Sequence, residues 1–252
     1  MWDPQVYGRY ADERSRPFHE LVARVRAATP ATVVDLGCGD GWLTATLAAR
    51  WPDASVLGVD SSAAMLGSAP AGPRLRFTLG TIEDWEPAGP VDVLVSNAAL
   101  QWVPDHLTLL PRLVGALAPA GWLALQVPGN WSEPSHTLLD SLRSSPRWRS
   151  RLAGARRGPA APGPAEYVRV LAGLGCAVDV WETTYLQVLS GPDPVLAWVR
   201  GAALRPVLER LSAAEAAQFE AEYGALLRQA YRPEPYGTVL PFRRVFAVAQ
   251  AR

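Results

Sequence analysis

Short apolar runs alternate with helix-like stretches through the first half of the chain. ATVVDL (31–36), ASVLGVD (54–60), RLRFTL (74–79), VDVLVSN (91–97) and GWLALQVP (121–128) are rich in Val and Leu and bounded by Gly, Pro or Asp, as short buried strands are. Residues 42–51, 61–69 and 105–118 have the length and periodicity of crossover helices, with Ser61 or Ser62 as the N-cap of the second. This alternation predicts an α/β fold, a parallel sheet with helices on both faces. In the second half, AEYVRVLAGLGC (165–176) reads as a covering helix ending at Gly175, and AVDVWETTYLQVL (177–189) and FRRVFAVAQ (242–250) alternate as a late strand pair. Residues 192–232 read as amphipathic helices broken at Pro206 and restarted at Ser212. SSPRWRSRLAGARRGPAAPGP (144–164) has no period and predicts a surface excursion, neither strand nor core helix. The expected organisation is one domain over 1–252. It comprises an N-terminal lid and helix (1–29), a ligand-binding core (30–128), helical cap insertions (129–164 and 190–237) and a terminal strand pair (176–189 and 239–250).

Composition narrows the function classes. At 252 residues and 49% hydrophobic, the chain can bury about 70% of its unfolded surface. A formal net charge of zero argues against a nucleic-acid partner, which calls for a basic excess. No apolar run approaches the length of a membrane span, and the charged start MWDPQVYGRYADERSRP is unlike a signal peptide. A cytoplasmic protein with no membrane partner is expected; the sequence does not address oligomeric state. Cys38 and Cys176 are the two cysteines, too few for a disulfide framework or a metal-ligand cluster, so no metal is expected. All 24 cationic residues counted as Lys or Arg are arginine. Arginine must therefore also do the surface work of lysine, and a single Arg says less than usual.

The chemistry gathers in VVDLGCGDGWLT (33–44), where Gly37, Gly39 and Gly41 follow the first strand. Ligands of open parallel sheets sit at the carboxyl ends of strands, and the first glycine turn forms the floor of that site. A dinucleotide fingerprint, G-x-G-x-x-G, would need glycine where this chain has Trp42, which speaks against a nicotinamide-dependent oxidoreductase. Asp60 closes the second strand in GVDSS, where a carboxylate can accept both hydroxyls of an adenosine ribose.

The pattern D-x-G-x-G-x-G beginning at Asp35 resembles the first motif of the class I S-adenosylmethionine-dependent methyltransferases. That resemblance implies a Rossmann-like fold with a mostly parallel seven-stranded sheet, helices on both faces and a helical cap. It implies a cofactor site built from Asp35, Gly37, Gly39, Gly41 and Asp60, with Ser61, Met65 and Ile82 beside it. Thr81, in GTIEDW, stands where the family often has an acid facing the adenine amino group. Asn97 and Ala98, in SNAALQW, match the segment that lines the methionine and sulfonium end.

Beyond the cofactor motifs the chain resembles the trans-aconitate methyltransferase subfamily over nearly its full length. The carriers are ERSRP (13–17), DLGCGDG, GVDSS, NAALQWVPDH (97–106), NWSEPSH (130–136), VDVWETTY (178–185), ALRPVL (203–208) and PFRRVF (241–246). The subfamily implies esterification of one carboxylate of trans-aconitate, leaving S-adenosylhomocysteine. The departures are GDG in place of a commoner proline-containing turn, Thr81 in place of an acid, and the motif-poor 144–164 segment.

That chemistry suits the residues. A carboxylate with a pKa near ~4 is already a nucleophile at neutral pH, so no general base or metal is required; no catalytic side chain is expected beyond those that orient the acceptor. Guanidinium groups bind carboxylates through two parallel hydrogen bonds. The candidate acceptor grips are Arg205, Arg244 and His136, with Trp131 as pocket wall and Arg14, Arg16 and Tyr7 from the N-terminal lid. Arg205 lies in an apolar segment where a charge calls for an anionic partner, and alternation puts Arg244 on one face with Phe242 and Phe246. The competing readings are a natural-product methyltransferase with another acid or a phenol as acceptor, and a non-catalytic S-adenosylmethionine-binding protein.

Overall fold

The computed structural model describes residues 11–153, 162–201 and 203–252, the first four of these by backbone alone. The chain forms α1 (Ala11–Ala23), β1 (Thr32–Leu36), α2 (Trp42–Arg50), β2 (Ser55–Asp60), α3 (Ala63–Leu66), β3 (Leu75–Leu79), β4 (Val91–Asn97), α4 (Leu110–Gly115) and β5 (Leu117–Pro128). There follow α5 (Pro134–Arg143), α6 (Arg149–Leu152), α7 (Pro164–Gly173), β6 (Ala177–Leu189), α8 (Pro194–Arg200), α9 (Arg205–Leu208), α10 (Ala213–Ala230), β7 (Pro233–Glu234) and β8 (Gly237–Gln250).

Contacts divide the chain into two compact units. The first takes in residues up to 129, 161–183 and 244–252. Its strands follow the order β3-β2-β1-β4-β5-β8-β6. β1 through β5 pair in parallel, and β8 runs antiparallel to β5. This is the expected mostly parallel sheet, its seven-strand path joined by an eighth strand, the two-residue β7, which pairs with β8. β1 and β4 are almost wholly buried, which is why they read as continuous apolar runs rather than alternating ones. One face is packed by Leu110 and Leu113 of α4 and by Tyr167 and Leu171 of α7 against Leu94, Leu125, Val127, Val245 and Ala247. The opposite face is covered by α1, whose Phe18, Leu21 and Val22 are buried. There Trp181 stacks on Phe246 at 4.8 Å with Arg24 lying over its ring.

The second unit comprises 130–160 and 184–243. Here α5 and α8 pack on α10, and the two-residue β7 pairs with the start of β8. α10 opens with a capping box, Ser212 and Glu215 each bonding the other's backbone N–H.

The expectation for 144–164 needs correcting over its described start, residues 154–161 lying outside the described residues. Residues 149–152 form a helical turn, and Trp148 is fully buried, donating its indole N–H to Glu222 at 2.9 Å. An aromatic anchor holds a segment whose Arg, Ser and Pro content suggested surface. The helix expected over 105–118 is a 3₁₀ turn at His106–Leu109 followed by the short α4. Among the described residues no helix is long and apolar enough to cross a membrane.

Candidate active site

The loop after β1 is shaped by positions that tolerate only glycine. Gly37 has φ +79°, and a Cβ there would sit 2.2 Å from the Cβ of Ala99. Gly41, at φ +74°, starts α2 and would bring a Cβ within 2.4 Å of the Phe77 ring. Both facts demand a residue free of Cβ in left-handed backbone. The loop is laid onto the end of β2: the amides of Gly37 and Cys38 donate to Val59 O at 2.8 and 3.0 Å. Asp60 then ties the loop down. Its Oδ2 accepts the Gly39 N–H and its Oδ1 the Ser62 N–H, both at 2.8 Å. Each oxygen keeps a further lone pair for a ligand hydroxyl.

Asp35 lies beneath the loop, buried, and accepts the Thr44 hydroxyl at 2.6 Å. Burial pushes its carboxyl up to about 6, against the lowering effect of Thr44 and with a smaller upward push from Asp60. Burial, with Asp35 and Asp60 nearby, drives the Cys38 thiol far above its ordinary range, so this loop cysteine is no nucleophile. Met65 and Ile82 are buried beside the loop, 3.4 and 3.7 Å from where Cβ atoms on Gly39 and Gly37 would stand. Ser62, not the exposed Ser61, is the N-cap of α3. Thr81 is turned into its own loop, donating to Asp84 Oδ2 at 2.7 Å and accepting the Asp84 N–H at 3.1 Å. Asp84 is thus the nearby carboxylate, in the T-x-x-D spacing of a side-chain-capped turn.

At the end of β4, Ala98 adopts φ 53°, unusual for a residue with a Cβ. It is held by its N–H on Gln126 O at 2.9 Å and by its carbonyl accepting from Gln101 Nε2 at 2.6 Å. Two buried acceptor atoms here, Asn97 Oδ1 and Gln101 Oε1, have no donor. A glycine cradle, a carboxylate with lone pairs to spare and two unmatched acceptors fit an adenosyl group carrying a cationic amino-acid tail. Asp35, Gly37, Gly39, Asp60, Met65, Ile82, Asn97 and Ala98 would hold it.

The acceptor candidates fall in different surroundings. Arg244 is buried in β8 and donates to Gln126 Oε1 at 3.0 Å, a neighbour that sequence reasoning did not single out. In the second unit, Trp131 and His136 meet edge-to-face at 5.0 Å. His136 Nδ1 lies 3.2 Å from Ser135 Oγ and 3.4 Å from Asn130 Nδ2. The Asn130 amide nitrogen is only a donor, so Nδ1 accepts and the ring proton sits on Nε2. Burial holds this imidazole down to about 4. Trp131 Nε1 is buried with no partner. Ser135 is fixed from both sides, its carbonyl accepting from the Tyr223 hydroxyl and its N–H donating to Tyr231.

Arg205 answers its own expectation differently. Its anionic partner is Glu209, one helical turn on at 2.9 Å, so the apolar segment does not by itself call for a ligand. Arg16 is largely exposed and pairs with Glu20 at 2.7 Å. Tyr7 and the Arg14 side chain lie outside the described residues. Among the described residues no group of three or more His, Cys, Asp or Glu could hold a metal ion.

Residues 7–178 match a family described as a methyltransferase domain. The chain is 52% identical to trans-aconitate 2-methyltransferase of Streptomyces avermitilis, over 98% of this chain and 96% of that one. It is 49% identical to the enzyme of the same name from Rhodococcus jostii over the full length of both, and 47% identical to that of Mycobacterium tuberculosis over 99% and 97%. Among solved structures, YcgJ of Bacillus subtilis superposes with a TM-score of 0.59 at 14% identity, covering 94% of this chain and 98% of that one. Haemonchus contortus phosphoethanolamine N-methyltransferase 2, solved with S-adenosylhomocysteine, superposes at 0.57 with 16% identity over 94% of this chain and 53% of that one. Similarity at that level shows the shared fold.

Proposed function

This chain belongs to the methyltransferase-domain family and, within it, to the trans-aconitate 2-methyltransferases; on that premise we propose that it esterifies one carboxylate of trans-aconitate. The observation that carries the acceptor is near-full-length identity of 47–52% to relatives of that name, extending well beyond the matched domain. The chain is an S-adenosylmethionine-dependent methyltransferase, and the cofactor supplies a methyl group on a sulfonium, ready for attack by a nucleophile.

The chain's own residues do the rest by holding and excluding. Asp60 and the glycine loop bind the ribose, while Asn97 Oδ1, with Gln101 Oε1 beside it, accepts from the cationic tail. Arg244 draws in and orients the anionic acceptor. Its burial matters, because a guanidinium screened from water attracts an anion far more strongly than a surface one. The acceptor carboxylate is ionised at neutral pH and needs no base. Fixing its oxygen in line can supply roughly 7–11 kcal/mol of the barrier reduction. Within the second unit, His136 is kept neutral by burial and Trp131 meets its ring edge-to-face. The cytoplasm is the proposed compartment, in keeping with free thiols at Cys38 and Cys176.

A panel of di- and tricarboxylates and phenols, incubated with S-adenosylmethionine and read by mass spectrometry, tests this. A monomethyl ester of trans-aconitate as the preferred product is expected; methylation of a phenol in preference to every carboxylate would overturn it.

A further inference from the structure

Gln126 is fully buried at the carboxyl end of β5, and the –NH₂ of its amide has no hydrogen-bond partner. An unmatched buried donor destabilises the fold unless a ligand meets it, and the rest of this strand is apolar. Its neighbours fix which way the amide points. Arg244 donates to the amide oxygen at 3.0 Å, and a guanidinium has no acceptor, so the oxygen must face Arg244 and the nitrogen must face elsewhere. Strand register fixes the face. Gln126 pairs with Asn97 of β4 on one side and with Phe246 of β8 on the other, and Arg244 stands opposite Pro128. Leu125, Val127, Val245 and Ala247 belong to the packed core. Alternation therefore puts Asn97, Gln126, Phe246 and Arg244 together on the opposite face.

The polar atoms on this part of the sheet are sorted by kind. Unmatched acceptors, Asn97 Oδ1 and Gln101 Oε1, belong to the β4 end and its following turn. Donors, the Gln126 amide nitrogen and the Arg244 guanidinium, belong to β5 and β8. Acceptors suit the cationic tail of the methyl donor, and donors suit an anion. We infer that Gln126 is an acceptor-binding residue, donating its amide N–H to a carboxylate of the acceptor beside Arg244 and so setting the enzyme's preference for anionic acceptors. This rests on the carboxylate-methylating reading above. The other anion available is the cofactor's own carboxylate, and the test separates the two.

Gln126→Glu keeps the shape and still accepts from Arg244, but replaces the donor with a negative charge. Gln126→Met keeps the approximate volume and removes the whole amide, both the donor and the oxygen that accepts from Arg244. Each is compared with the parent for S-adenosylhomocysteine affinity by calorimetry, for trans-aconitate affinity of the protein–S-adenosylhomocysteine complex, and for kcat and KM. Gln126→Glu is expected to weaken acceptor affinity and kcat/KM by about a hundredfold or more, and Gln126→Met by about tenfold. S-adenosylhomocysteine affinity should stay within about threefold of the parent in both, as expected when no contact to that ligand is lost. Acceptor affinity at the parent level in Gln126→Glu overturns the assignment. A parallel loss of S-adenosylhomocysteine affinity in both variants also overturns it, marking Gln126 as a holder of the cofactor carboxylate or of the fold. A parent protein that methylates no carboxylate at all would instead refute the acceptor reading on which this rests.

Discussion

Replacing Asp60 by its isosteric amide should harm the protein almost as much as removing the side chain. The two carboxylate oxygens accept from different backbone amides, Oδ2 from Gly39 and Oδ1 from Ser62, each at 2.8 Å. An asparagine has one oxygen and one –NH₂, so whichever way it turns, one backbone N–H faces another donor. The loss is one charge-assisted hydrogen bond, about 1.5–3 kcal/mol, together with the ribose bond that the displaced oxygen would make. S-adenosylmethionine affinity should therefore fall roughly tenfold to a hundredfold in Asp60→Asn, and thermal unfolding should shift down by about 3–12 °C for a protein of this size. Asp92 provides the internal control. It too accepts two backbone amides, from Ala31 and Thr32 at 2.8 and 2.9 Å, but through the single oxygen Oδ2. Asparagine can place its lone oxygen there and keep both bonds, so Asp92→Asn should cost much less. Calorimetric titration with S-adenosylmethionine and a thermal melt decide the matter. If Asp60→Asn binds within twofold of the parent and melts with it, or if Asp92→Asn is the worse variant, the account of the loop is wrong.

Arg244→Lys keeps a charge but loses the planar fork, so kcat/KM for the acceptor should fall roughly tenfold or more with cofactor affinity intact, and Arg244→Ala further. Arg205→Ala should do less, because Glu209 already meets that charge; equal effects from the two would return Arg205 to the acceptor site. Asp35 carries a folded pKa of about 6, raised from 3.8 chiefly by burial, so its contribution to stability is present in acid and lost as pH rises through 6, a cost on the order of 3 kcal/mol at pH 8. Asp35→Asn, whose oxygen can still accept from Thr44, should thus raise the stability of the ligand-free protein at pH 8 relative to pH 5 while weakening cofactor binding; a denaturant melt showing the opposite pH trend would refute this. His136 is displaced the other way, its folded pKa depressed to about 4 by burial. The unfolded chain takes up that proton first, so this contribution is constant above the ordinary histidine range and is lost as pH falls from about 6.5 toward 4. An NMR titration should find the His136 ring neutral, with its proton on Nε2, down to about pH 5; a midpoint near 6.5 would contradict the burial argument.

The parts of this molecule legible in sequence are those set by local patterning. Buried parallel strands announce themselves as apolar runs, and β1 to β4 begin and end within a residue of where those runs do. The glycine loop was legible because all three glycines take left-handed backbone and two of them, Gly37 and Gly41, have no room for a Cβ. Elements set by long-range partners were not. Nothing near Trp148 reveals that Glu222 receives its N–H, and β5 starts at Leu117, ahead of its apolar run, where Leu117 pairs with Val91 of β4 before a shift in register. The sequence alone places Thr81 opposite a ligand and does not show that its hydroxyl is engaged by Asp84, three residues on. The i to i+4 spacing of Arg205 and Glu209 was visible throughout and accounts for that charge without any ligand. Gln126 had a signal too: a lone amide in the buried end of an otherwise apolar strand is out of place unless something bonds it.

The central claim is methyl transfer to a carboxylate oxygen, and one measurement addresses it directly. The protein is given S-adenosylmethionine bearing an isotopically labelled methyl group together with trans-aconitate, and the labelled product is isolated and treated with mild alkali. The account predicts a product heavier by one methyl in place of a proton, formed without added metal, whose label is released as methanol because it was held as an ester. A label that survives alkali, or that never reaches trans-aconitate while appearing on another acceptor, would contradict it.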